Sequence, residues 1–195
     1  MNEKELLLNL LADFPDSEKI VQTLLARFST IERIFSAPSD ELIFVVPENV
    51  AAYLKLLPAI IKRQTTDKFK FPKKYTEPEI RDYLSALFLF EGEESAYALF
   101  FDAQGRLTSC ERLSQGSLNY AAVSARKLTE LAVRKGASSV ILAHNHPFGV
   151  AAFSEEDVQG TELLSAALKE INVRLISHAV FAGGEYSVIK PKTEG

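Results

Sequence analysis

The sequence predicts an α/β (α+β) protein in which a small all-helical N-terminal domain precedes a mixed sheet flanked by helices. Three observations lead there. Apolar residues recur at three- and four-residue spacings through the first 63 positions. A Lys-rich stretch then breaks that pattern. Beyond it, short apolar runs bounded by turn residues alternate with longer amphipathic stretches.

Leu7, Leu8 and Leu11 mark a first helix, Val21, Leu24, Leu25 and Phe28 a second, and Leu54, Leu57, Ile60 and Ile61 a later one. Asp16-Ser17, Ser29-Thr30 and Ser39-Asp40 stand where N-caps belong, because their side-chain oxygens accept from the orphan N–H groups of a first turn. Thr65-Thr66-Asp67 and Phe69-Lys-Phe-Pro-Lys-Lys74 lack periodicity, which places a boundary near residue 75 and gives domains 1–75 and 76–195. Residues 77–87 predict a helix, 97–101 a buried strand, Asp102-Ala-Gln-Gly105 a hairpin turn and 107–112 its partner strand. Residues 124–134 read as an amphipathic helix, 138–143 as a strand delivering His144 at its end, and 154–171 as the second long helix of this region. Residues 173–181 and 186–189 form a terminal hairpin around Gly183-Gly184, since glycine accepts the positive φ angles of tight hairpin turns.

The 195 residues suffice for one large or two small domains with real cores, and 47% hydrophobic with 25% charged residues is ordinary for a soluble chain. The single cysteine, Cys110, cannot form an internal disulfide; it fits a reducing compartment and reads as packing. The acidic N-terminus before Leu6–Ala12 lacks the basic segment and cleavage site of a signal peptide, and no apolar run is long enough to span a membrane. The expectation is a cytoplasmic protein. Net charge is −4, with 11 basic and 10 acidic residues in 1–75 against 11 and 16 in 76–195. Lys62-Arg63 and Lys68, Lys70, Lys73 and Lys74 hold most of the local basic excess; without clustered aromatics the tract reads as a solvated linker, and nucleic-acid binding is expected to be weak.

The chemistry concentrates in His144-Asn-His-Pro-Phe-Gly-Val-Ala-Ala-Phe-Ser154-Glu-Glu-Asp157. Residues two apart on an extended segment point the same way, so His144 and His146 can converge on one ion. Pro-Phe-Gly turns the chain, and Ser154-x-x-Asp157 opens an element whose first turn can return Asp157 to the same point. Two nitrogens and one carboxylate leave a fourth tetrahedral position open for water on zinc. Each part also has a plainer reading. Ser154-x-x-Asp157 is a good helix start, and a lone histidine is commonly a core residue. The conjunction favours a metal site, with a non-haem iron triad as another occupant of two histidines and a carboxylate.

The run Val140-Ile-Leu-Ala-His-Asn-His-Pro-x-Gly followed by Ser154-x-x-Asp157 resembles the JAB/MPN (JAMM) metalloprotease signature. Gly116-Ser-Leu-Asn119 and Ile176-x-His178…Gly184-x-Tyr186-Ser187 are similar to its bacterial RadC branch. The resemblance covers 76–195 and implies a JAB/MPN-type mixed sheet, with zinc on His144, His146 and Asp157. It also implies Glu94 as general base and proton shuttle, with Glu91 and Glu93 as neighbouring alternatives, and Ser154 as the residue that steadies a tetrahedral oxyanion. Residues 1–75 resemble a shortened, degenerate helix-hairpin-helix region. There Val45-Val-Pro-Glu-Asn49 replaces a glycine-containing phosphate-binding turn, which argues against DNA binding.

The chain departs from the branch in several places. Phe148 stands for a serine, and the loop Phe148–Phe153 is apolar where the branch is polar; it either packs on the domain or meets an apolar substrate. Ser177 precedes His178 where the branch has an aspartate, and Ala125-Arg126-Lys127 replaces Pro-Arg-Glu. His178 reads as a residue behind the ligands or in the core, with direct ligation as the lesser alternative. The expected function is a zinc-dependent hydrolase acting on a peptide or isopeptide bond of a peptide or protein substrate. The alternative is a non-enzymatic DNA-repair accessory or protein-interaction module with an idle metal site.

Overall fold

A computed structural model of the chain describes residues 1–116 and 125–192. Among these residues it contains eight helices and one five-stranded sheet. The chain divides into two compact units, Met1–Thr65 and Thr66–Gly195. The structural division falls before the compositional one, because Phe69 and Tyr75 pack against the second unit's core and Lys73 bridges to Leu107.

The first unit holds α1 (Glu3–Leu10), α2 (Ser17–Phe28), α3 (Ile31–Ser36), α4 (Ser39–Ile43) and most of α5 (Glu48–Thr66). Leu7, Leu11, Val21, Leu24, Ile34, Leu42 and Leu54 are fully buried in its core. Of the three expected caps, only Thr30 accepts a bond from a first-turn N–H, that of Arg33. Asp16 occupies its cap position with left-handed backbone and no side-chain bond. Pro38 takes the place expected of Ser39-Asp40, so that pair lies inside the first turn of α4 instead. On α5 the buried positions are Val50, Ala51, Leu54 and Pro58, leaving Ile60 and Ile61 partly exposed rather than central to the core.

The second unit follows the alternation closely: α6 (Glu77–Phe88), β1 (Ser95–Phe101), β2 (Leu107–Gln115), α7 (Ala125–Arg134), β3 (Ser139–Asn145), α8 (Glu155–Lys169), β4 (Arg174–Ala182) and β5 (Glu185–Ile189). The expected helix start at Ser124 and the Ser117–Asn119 part of the family motif lie outside the described residues. Gly183 and Gly184 do take positive φ, at 54° and 83°, in the turn between β4 and β5.

Sheet order is β2-β1-β3-β4-β5, with β3 antiparallel to β1 and parallel to β4. A parallel pair needs a crossover, and α8 supplies it. The sheet is covered on both faces, so β1 reads as a continuous apolar run and is buried at every position. One face packs Tyr97, Leu99, Phe101, Ala143 and Phe181 against Ile80, Leu84 and Phe88 of α6. The other packs Ala98, Phe100, Val140 and Leu142 against Leu128 of α7 and Leu164 and Leu168 of α8. The β3–α8 junction therefore sits at the carboxyl end of a parallel strand, a usual place for a binding site in α/β sheets. Among the described residues no helix is long and apolar enough to cross a membrane.

Candidate metal centre

His144 lies inside β3 rather than beyond its end, because the strand continues to Asn145 and the His146 N–H still donates to the Phe181 carbonyl at 2.8 Å. This extension keeps both histidines in the extended, period-two part of the chain. Phe148 then adopts φ 59°, and the Gly149 N–H closes the turn onto the His146 carbonyl at 3.2 Å. A Cβ on Gly149 would stand 3.2 Å from the His146 Cβ, so any larger residue would have to push His146 aside by a few tenths of an ångström.

Ser154 caps α8 through a full capping box. Its hydroxyl accepts the Asp157 N–H at 3.1 Å, while Asp157 Oδ2 accepts the Ser154 N–H and hydroxyl, each at 2.8 Å. The cap and the metal reading are thus not rivals. By taking Oδ2, the cap fixes the carboxylate's rotation and leaves Oδ1 facing His144 Nε2 at 3.4 Å.

His144, His146 and Asp157 form a metal-competent group. The two Nε2 atoms are 3.0 Å apart, and His146 Nε2 lies 3.6 Å from Asp157 Oδ2. Tetrahedral zinc with bonds of about 2.0–2.2 Å sets its ligand atoms about 3.3–3.6 Å apart, so the two histidine–carboxylate separations and the N/N/O donor set fit, while the two Nε2 atoms stand slightly closer than a bound ion would hold them. His144 and Asp157 are buried, whereas the His146 side chain keeps 22% exposure, so the group opens to solvent on the His146 side. Burial raises the Asp157 carboxyl, but the neighbouring His144 imidazole and the bonds from the Ser154 N–H and hydroxyl outweigh it and hold the group well below the ordinary carboxylate range.

Behind this group, His178 is completely buried and lies 2.8 Å from His144 Nδ1 through its Nε2, with its Nδ1 2.7 Å from Thr161 Oγ1. Burial lowers its pKa to about 3, so it stays neutral. Phe153 stands edge-on to both His144 and His178. The apolar loop is therefore split: Phe153 packs on the centre, while Phe148 is half exposed and Val150 more so.

Glu94 is outside the metal-competent group. Its neighbours are tied down by Asn145, the residue between the two histidines. The Asn145 Oδ1 accepts the Ser95 N–H at 2.7 Å and its Nδ2 donates to the Glu93 carbonyl at 3.2 Å. Ala96 pairs with His144, and Glu94 lies just before β1 begins at Ser95. Glu91 is instead held by Arg112 at 3.1 Å, and Glu93 is exposed. The residues that sequence reasoning missed are Asn145 and Thr161. The latter carried a faint signal, standing one helical turn after Asp157.

The mixed sheet, covered on both faces, thus carries at its β3–α8 junction a histidine-carboxylate group that could hold a metal ion. Residues 75–193 match the family model described as the RadC-like JAB domain, and the chain belongs to that family. Similar relatives include a UPF0758 protein of Cupriavidus pinatubonensis, 33% identical over 85% of this chain and 74% of the relative. Another, from Idiomarina loihiensis, is 32% identical over 95% of this chain and 85% of its own length. A third, from Methylibium petroleiphilum, is 34% identical over 85% and 76%.

Proposed function

We propose that the chain is a zinc-dependent hydrolase that cleaves a peptide or isopeptide bond in a peptide or protein substrate. The observation that carries this reading is the convergence of His144 Nε2, His146 Nε2 and the Asp157 carboxylate within 3.0–3.6 Å of one another, with the His146 side chain reaching solvent. Zinc in such a position supplies a nucleophile at neutral pH by lowering the pKa of bound water from 15.7 to about 7.

The chain's own residues then divide the remaining work. Glu94 takes a proton from the attacking water and returns it to the leaving amine. Its place at the entry to β1 and the Asn145 clamp on both flanks support that role over Glu91, whose carboxylate is engaged by Arg112. Ser154 offers a hydroxyl to the negative charge developing on the substrate oxygen. That hydroxyl now donates to Asp157 Oδ2, and it is free to turn because Oδ2 keeps the Ser154 N–H as a partner.

Duplex DNA has little place in this reading. The Val45 and Val46 N–H groups both donate to the Leu42 carbonyl and Pro47 has no N–H, so this turn offers phosphate few donors. A cytoplasmic location is part of the same proposal, in keeping with a lone cysteine. The test is a peptide and isopeptide library screened with zinc-loaded protein, with and without chelator. Cleavage that chelator stops and zinc restores is expected. Intact zinc with no cleavage of any member, and no difference between wild type and Glu94→Gln, would favour the interaction module.

A further inference from the structure

We propose that Thr161 and His178 are positioning residues that fix the tautomer of His144, so that its Nε2 presents a lone pair to the metal position. The proposal rests on the metal reading above. Its direction follows from groups whose hydrogen-bonding capacity is unambiguous.

Thr161 Oγ1 lies 2.6 Å from the Asp157 carbonyl oxygen, one turn back along α8, and that oxygen can only accept. The hydroxyl proton is therefore committed there, and Oγ1 faces His178 Nδ1, 2.7 Å away, with a lone pair. Nδ1 must carry the proton of that bond. A neutral imidazole protonated on Nδ1 has an acceptor at Nε2, which lies 2.8 Å from His144 Nδ1. His144 then donates from Nδ1 and keeps its Nε2 unprotonated, facing His146 and Asp157. His146 reaches the same state separately, because its Nδ1 faces the Val150 carbonyl at 3.2 Å.

Two features make this more than packing. Thr161 and His178 are both completely buried, where an unmatched donor or acceptor is costly. The relay also begins on the backbone carbonyl of Asp157, so one residue supplies a ligand through its side chain and orients another ligand through its main chain. Without the Thr161 hydroxyl, His178 loses the reason to hold its proton on Nδ1. The other tautomer would offer N–H to His144 Nδ1 and push the His144 proton onto Nε2, where a metal must bind.

The test uses the full chain labelled with ¹⁵N-histidine, read by long-range proton–nitrogen correlation at about pH 8, above the ordinary imidazole range. In zinc-free and zinc-loaded wild type, His178 is expected as the Nδ1–H tautomer; an Nε2–H signal for His178 overturns the proposal without any variant. Zinc affinity, measured by chelator competition, is expected to fall 10–100-fold in Thr161→Val, the range typical of lost groups that orient a metal ligand. Thr161→Ser keeps the hydroxyl, and His178→Gln can both accept from His144 and donate to Thr161, so both are expected within a few-fold of wild type. Folded Thr161→Val with unchanged affinity, or Thr161→Ser as weak as Thr161→Val, refutes the relay. If wild type binds no metal at all, the metal reading fails by itself, and the tautomer spectrum still decides the hydrogen-bond chain.

Discussion

Asn145→Ala probes how the centre is joined to the strand that carries Glu94. The wild-type amide accepts the Ser95 N–H and donates to the Glu93 carbonyl, across fifty residues of sequence, with Asn145 and Ser95 both buried. Truncation leaves the Ser95 N–H without that acceptor, and an unsatisfied buried donor costs about 1–3 kcal/mol. Taking about 2 kcal/mol, the melting temperature of this unit should fall by on the order of 8 °C. Urea unfolding of wild type and variant measures the difference directly, the midpoint shifting at constant slope. His144 and His146 remain on β3, so zinc affinity is expected to change little while hydrolysis falls sharply as the Glu94 segment loses both tethers. An unchanged midpoint would refute the clamp, and loss of zinc with full stability would show that Asn145 acts on the ligands instead.

Other perturbations separate the remaining parts. Ser154→Ala should keep zinc, lose about 1 kcal/mol with its cap and slow turnover roughly 10²-fold; unchanged turnover would remove Ser154 from the oxyanion role. Burial pushes the Cys110 thiol up to about 12, so native protein should resist alkylation near neutral pH and react only on unfolding; rapid native labelling would contradict the packing. In the metal-free protein, His178 has its pKa lowered to about 3, so the unfolded state binds that proton first as pH falls. Stability should be full above about pH 6.5 and decline toward pH 3 by up to about 1.4 kcal/mol per pH unit, with Asp157 adding a further loss below about pH 4. His178→Gln should flatten the decline between about pH 6.5 and 4, and an equally steep variant would assign it elsewhere.

The grouping of His144, His146 and Asp157 was legible because each of its parts obeys a local rule. His144 and His146 share a side by strand alternation, Ser154 and Asp157 share a first turn, and Pro147-Phe-Gly149 supplies the reversal between them. The sheet was legible for a similar reason, since apolar runs and turn residues bound every strand of the second unit. What escaped depends on register. Asn145 meets Ser95, and His178 meets His144, only after β3 has paired antiparallel with β1 and parallel with β4, and no spacing in the sequence encodes those partners. The short helices misled for a different reason. Ser39 and Asp40 have cap chemistry, but Pro38 already fixes the extended backbone that an N-cap requires, which moves the helix start one residue earlier.

The central claim is that three side chains from β3 and the start of α8 hold one zinc ion, and metal content tests it most directly. Purified wild type should carry one zinc per chain by elemental analysis, retained in Glu94→Gln and lost in both His144→Ala and Asp157→Ala with the fold intact by circular dichroism. Stoichiometric iron in place of zinc, or zinc retained by both ligand variants, would contradict it.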